Sequence, residues 1–210
     1  MTVAVAVRDV ETEASAGSNQ SGPSPRAIVV SYGFWVFLLS DIVMFSALFA
    51  VYAVLAHATA GGPTGVQLFD QTKVAIETAC LLASSYTCGM MSLAINTRRR
   101  FSTYFFAGAT FLLGAAFLTL EIREFMSMIG EDAGPQRSAF LSAFFGLVGC
   151  HGLHVSLGLI WLGVMMAQVA AKGFSAAVRR RLACFSLFWH ALDIIWVGVF
   201  SVVYLMGVSL

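Results

Sequence analysis

Gly149-Cys150-His151-Gly152-Leu153-His154-Val155-Ser156-Leu157-Gly158-Leu159-Ile160-Trp161 lies inside a run, residues 139–169, that carries no Asp, Glu, Lys or Arg. A chain segment needs roughly 20 apolar residues to cross about 30 Å of hydrocarbon as a helix, so this run spans a membrane with length to spare. His151 and His154 are three positions apart and share a helix face. Gly149, Gly152 and Ser156 lie around the same turns and let a neighbouring helix come close. The theme returns in residues 189–196 (WHALDIIW), where His190 and Asp193 are again three apart on an otherwise apolar helix.

Four further segments qualify as spans: residues 32–56, 74–95, 101–125 and 182–206. Thr59-Ala60-Gly61-Gly62-Pro63-Thr64-Gly65 and Glu131-Asp132-Ala133-Gly134-Pro135 stop the helices before them. Asn96-Thr97-Arg98-Arg99-Arg100 is so short a link that spans two and three must be antiparallel neighbours. Only 11% of residues are charged, against about 25% in a soluble domain, and mean hydropathy is +0.83. The fold expected is an all-α membrane protein, a five-transmembrane-helix bundle over residues 28–210, behind a disordered N-terminal tail of residues 1–27. The tail's only apolar run is too short for a signal-peptide core, so the first span is expected to drive insertion without cleavage. A net charge of +1 leaves no basic patch for nucleic acid. Cys80, Cys88, Cys150 and Cys184 all fall in apolar segments without CxxC spacing and read as small buried hydrophobes.

Nine of the twelve basic residues fall on one side: Arg8, Arg26, Arg98, Arg99, Arg100, Lys172, Arg179, Arg180 and Arg181. The positive-inside rule puts that side, with the N-terminus, in the cytoplasm and the C-terminus outside it. No internal repeat or inverted pair of broken helices is present, which speaks against a small transporter.

Ionisable side chains at bilayer depth are costly, so each must be paired, water-lined or functional. The set is Asp41, Glu77, Glu121, Glu124, His151, His154, His190 and Asp193. Axial haem ligation by histidines of facing helices is one reading. A copper or zinc site would want a third or fourth convergent ligand with partners behind it, and no spacing here is diagnostic. A hydrogen-bond network between helices is the reading preferred, with His190 and Asp193 holding each other and reaching to span three or four. On it, replacing a histidine weakens assembly by stranding its partner. Three roles stay open for Asp41 and Glu77: bonding to Ser40, Thr78, Ser84, Ser85 or Thr87, contact with lipid headgroups, or a proton relay. Glu121, Arg123 and Glu124 are expected as a solvated ion-pair cluster at a span end.

The segments HGLHV at 151–155 and FWHALDIIW at 188–196 together resemble subunit III of the haem–copper respiratory oxidases. Residues 33–41 (GFWVFLLSD) look like the opening helix of that family's conserved bundle, with Asp41 where many relatives have glutamate. Residues 77–85 (ETACLLASS) resemble its next helix, and residues 121–125 the acidic end of the third. The likeness covers residues 31–207. Within the family the chain is most similar to the branch that serves bo-type ubiquinol oxidases, in residues 60–65, 134–145 and 202–207 and in starting directly at the five-helix bundle. The resemblance implies an accessory subunit with no catalytic, cofactor or metal residues of its own. Haem b, haem o and copper belong to the partner large subunit (I), with subunit II, a small subunit IV and membrane phospholipids as further partners and ubiquinol bound elsewhere in the complex. The alternatives are subunit III of an aa-type quinol or a cytochrome c oxidase, and a stand-alone b-type haem protein.

Overall fold

The computed structural model describes residues 25–61 and 71–205. The expected tail up to residue 24, residues 62–65 of the first loop and residues 206–207 of the terminal motif lie outside the described residues. Five helices follow one another: α1 (Pro25–Leu55), α2 (Gln71–Asn96), α3 (Arg100–Gly130), α4 (Ala139–Lys172) and α5 (Ala176–Val199). The last continues into a π-helical turn, Phe200–Leu205. All five are long and apolar enough to cross a membrane.

The local reasons are legible. Pro25 stands at the first turn of α1, where its missing N–H costs nothing. Ser138 caps α4 by accepting from the Leu141 N–H at 3.2 Å, and Ser175 caps α5 by accepting from that of Val178 at 3.3 Å. Gly173 takes φ 61° and ends α4 with its N–H on the Val169 carbonyl. Links of three residues, 97–99 and 173–175, make α2–α3 and α4–α5 antiparallel neighbours. α3 runs to Gly130, past the expected end of the third span, because nothing between Glu121 and Gly130 breaks a helix. Glu121 and Glu124 are therefore interior to it rather than at its tip.

The chain forms two units that divide within α1, between Phe37 and Leu38. The first contributes an apolar, exposed stretch with Ile28, Tyr32 and Trp35. In the second, α3 packs on α2 and α4, and α5 packs on α2 and α4. Its core is aromatic: Phe45, Phe117, Phe144, Phe185, Trp189, Trp196 and Tyr204 are all essentially inaccessible.

Trp189 holds four of the helices together. Its indole lies against Gly114 of α3 and Gly158 of α4, where an added Cβ would come 3.0 Å and 2.9 Å from the ring. Its Nε1–H donates to Ser84 Oγ of α2 at 3.0 Å. Hydrocarbon gives no hydrophobic drive to helix association, so close packing and interhelical hydrogen bonds must supply it, and this one side chain of α5 contributes both. Trp196, two turns on, repeats the device, with Nε1–H donating to Thr78 Oγ1 of α2 at 3.1 Å.

Candidate functional site

The eight ionisable residues of the spans fall into separate groups. Asp41 of α1 lies near His154 and Cys150 of α4. Among the described residues His154 bonds its own helix rather than another: its Nδ1 lies 2.7 Å from the Cys150 carbonyl. Phe45 of α1 covers the same imidazole edge-on, with ring centres 5.3 Å apart. Asp193 of α5 sits near His190 one turn back and Ser85 of α2. The second helix, not the third or fourth, is thus its neighbour.

His151 is fully buried, and neither ring nitrogen has a hydrogen-bond partner among the described residues. Rings surround it instead. Trp196 stacks tilted at 5.1 Å between centres, and Phe117 and Phe45 meet it edge-on at 5.9 and 6.3 Å. The expected role of tying helices by hydrogen bonds is replaced by aromatic packing, which aligns quadrupoles without needing a polar partner. Replacing His151 strands no hydrogen-bond partner among the described residues.

The largest group gathers Glu77 of α2, Glu121 and Glu124 of α3 and Tyr204 of the π-helical turn, with Lys73 one turn before Glu77. Glu77 and Glu121 are 1% and 2% exposed. This corrects the solvated ion-pair expectation: Glu121 is sealed inside the bundle, while Arg123 of the same turn is exposed. The π-helical register brings both Val203 and Tyr204 onto the buried side. Tyr204 then donates its hydroxyl to Glu124 Oε2 at 3.2 Å, and Tyr52 of α1 donates to the Val203 carbonyl at 3.5 Å.

Gly152 makes room for this group. A Cβ there would come 2.7 Å and 2.9 Å from the two carboxylate oxygens of Glu121. At Gly152 the neighbour that comes close is the Glu121 carboxyl group of α3, and at Gly158, outside the expected set, it is the Trp189 indole of α5. The hydroxyls expected to serve the carboxylates are largely engaged elsewhere. Ser84 and Thr78 accept from the two indoles, and Thr87 bonds Thr110 of α3 at 2.9 Å. Trp189, Trp196 and Tyr204 are hydrogen-bond partners that sequence reasoning did not assign. The available signal was a tryptophan in mid-span, away from the interfacial belt, whose N–H must find an acceptor.

No group of three or more His, Cys, Asp or Glu among the described residues is arranged to hold a metal ion.

A family model described as cytochrome c oxidase subunit III matches residues 1–208. Over 176 residues the chain is 53% identical to the cytochrome bo(3) ubiquinol oxidase subunit 3 of Pseudomonas aeruginosa, covering 84% of each. It is 42% identical over 180 residues to the quinol oxidase subunit 3 of Bacillus subtilis, covering 84% of this chain and 87% of that one. To the cytochrome c oxidase subunit 3 of a Bacillus species it is 42% identical over 178 residues, covering 83% and 84%.

Proposed function

The chain belongs to the cytochrome c oxidase subunit III family, and on that premise we propose that it is the accessory third subunit of a proton-pumping ubiquinol oxidase. That complex oxidises ubiquinol and reduces oxygen to water in the aerobic respiratory chain of a bacterium. The observation that carries the reading is the 53% identity, over 84% of both chains, to a ubiquinol oxidase subunit 3. Subunits I, II and IV are the proposed partners, with haem b, haem o and copper held by subunit I and ubiquinol bound outside this chain. Phospholipid is the proposed cover of its exposed apolar faces.

In this reading Asp41, Glu77, Glu121, Glu124, His151, His154, His190 and Asp193 serve helix packing and assembly. Support comes from the company they keep: rings around His151, a glycine cradle at Glu121, and a backbone carbonyl for His154. The test is to purify the chain from native membranes with whatever it binds. A complex with quinol-dependent oxygen uptake and a haem b/haem o spectrum is expected. A complex with no oxidase spectrum would refute membership of a quinol oxidase. The 42% identity to a cytochrome c oxidase subunit 3 supports a second reading. An a-type haem spectrum with cytochrome c oxidation would establish it.

The orientation proposed from the basic loops has the N-terminus cytoplasmic and the C-terminus periplasmic. Trypsin added to spheroplasts should spare Arg179, Arg180 and Arg181 and cut there in inverted vesicles. Cleavage from the outer face would reverse the topology.

A further inference from the structure

The carboxyl group of Glu121 lacks a protein partner in a place where polar groups are rarely left so. Both of its oxygens are buried and neither has a hydrogen-bond partner among the described residues, and Glu77 Oε2 is in the same position. Buried polar atoms that protein does not satisfy are ordinarily met by internal water, which makes about three hydrogen bonds and needs polar atoms on several sides. Those atoms are here on three elements: Glu77 on α2, Glu121 and Glu124 on α3, and Tyr204 on the π-helical turn. They lie near enough to act on one another electrostatically. Tyr204 donates its hydroxyl proton to Glu124. Lys73, one turn before Glu77 on α2, is a cationic group near it. A metal ion is the poorer occupant, because no group of three acidic, His or Cys side chains among the described residues is arranged to hold one.

We propose that Glu77, Glu121, Glu124 and Tyr204 enclose an internal hydration site, in which bound water accepted by the Glu121 carboxyl bridges α2, α3 and the end of α5. Gly152 belongs to the site by omission, since its missing Cβ leaves the position that the Glu121 oxygens occupy. The site stands on this chain's own geometry and holds whichever oxidase the chain serves.

X-ray hydroxyl-radical footprinting of the intact complex tests it, because bound water generates radicals in place and labels side chains that bulk solvent cannot reach. Tyr204 is 1% exposed, as inaccessible as Phe117 at 0%. Tyr204 should be labelled well above Phe117 in the wild type and in Glu121→Gln, which keeps a polar carbonyl, and its labelling should be lost in Glu121→Leu. Maps that resolve ordered water should show a peak within hydrogen-bond distance of Glu121. Labelling of Tyr204 no higher than Phe117 in the wild type would overturn the proposal. So would a map in which Glu121 meets only protein atoms, or a density with metal-like contact distances that vanishes when sodium is removed.

Discussion

Trp189→Ala should sharply reduce the amount of folded chain in the membrane and the yield of its complex. The indole is 1% exposed and contacts glycines on two helices while bonding a serine on a third. Large-to-small changes of this size cost about 3–5 kcal/mol in soluble cores. The lower end, about 3 kcal/mol, is the figure expected here, because lipid offers no transfer penalty of water's kind while the void and the lost dispersion contacts remain. Ser84→Ala leaves the whole indole in place against both glycines and removes only the acceptor of its N–H. This variant should lose only about 0.6–1.7 kcal/mol, the span measured for interhelical hydrogen bonds in membranes. The measurement is the midpoint of thermal unfolding in detergent, followed by size-exclusion of the tagged chain. Equal loss in the two variants would show that the hydrogen bond, and not the fit between Gly114 and Gly158, carries the effect.

Gly152→Leu should be nearly as damaging, and its damage should depend on Glu121. The new side chain must enter the position of a carboxyl group 2.7 Å from its first carbon. Overpacking of a dense core costs roughly 1–3 kcal/mol, and the upper end applies because Glu121 is buried and has little room to withdraw. Replacing Glu121 by Ala in the same chain removes the obstacle. The double variant should therefore be more stable than Gly152→Leu alone, with a coupling energy within the 0.5–3 kcal/mol range known for residues in contact. If Gly152→Leu costs the same with and without Glu121, Gly152 is serving a backbone contact rather than a carboxyl cradle.

Much of this architecture could be read from the chain before any helix was placed beside another. The uncharged run around His151 and four other long apolar runs, each broken by few charges, announced five spans, and the three-residue links announced which spans are antiparallel. The pattern HGLHV with FWHALDIIW pointed to the family that the comparisons then identified. The same residues misled about roles. His151 and His154 were expected to bond across helices, yet one is wrapped in rings and the other bonds its own backbone. Glu121 looked like the edge of a span because acidic residues usually mark one. It is instead covered by α4 at Gly152.

The sequence by itself determined that the protein is a five-span membrane helix bundle of this family, because spanning hydrocarbon is a local demand: each run must be apolar and close its own backbone hydrogen bonds. Which polar groups meet was decided only by the tertiary structure. Partnership depends on the rotation and offset of whole helices, set jointly by every contact along them. Trp189 reaches Ser84 over 105 positions of chain, and Tyr204 reaches Glu124 over 80 with the π-helical turn altering its register. A shift of one residue in that register turns a side chain by about 100°, from a buried partner to lipid, and no local pattern records it.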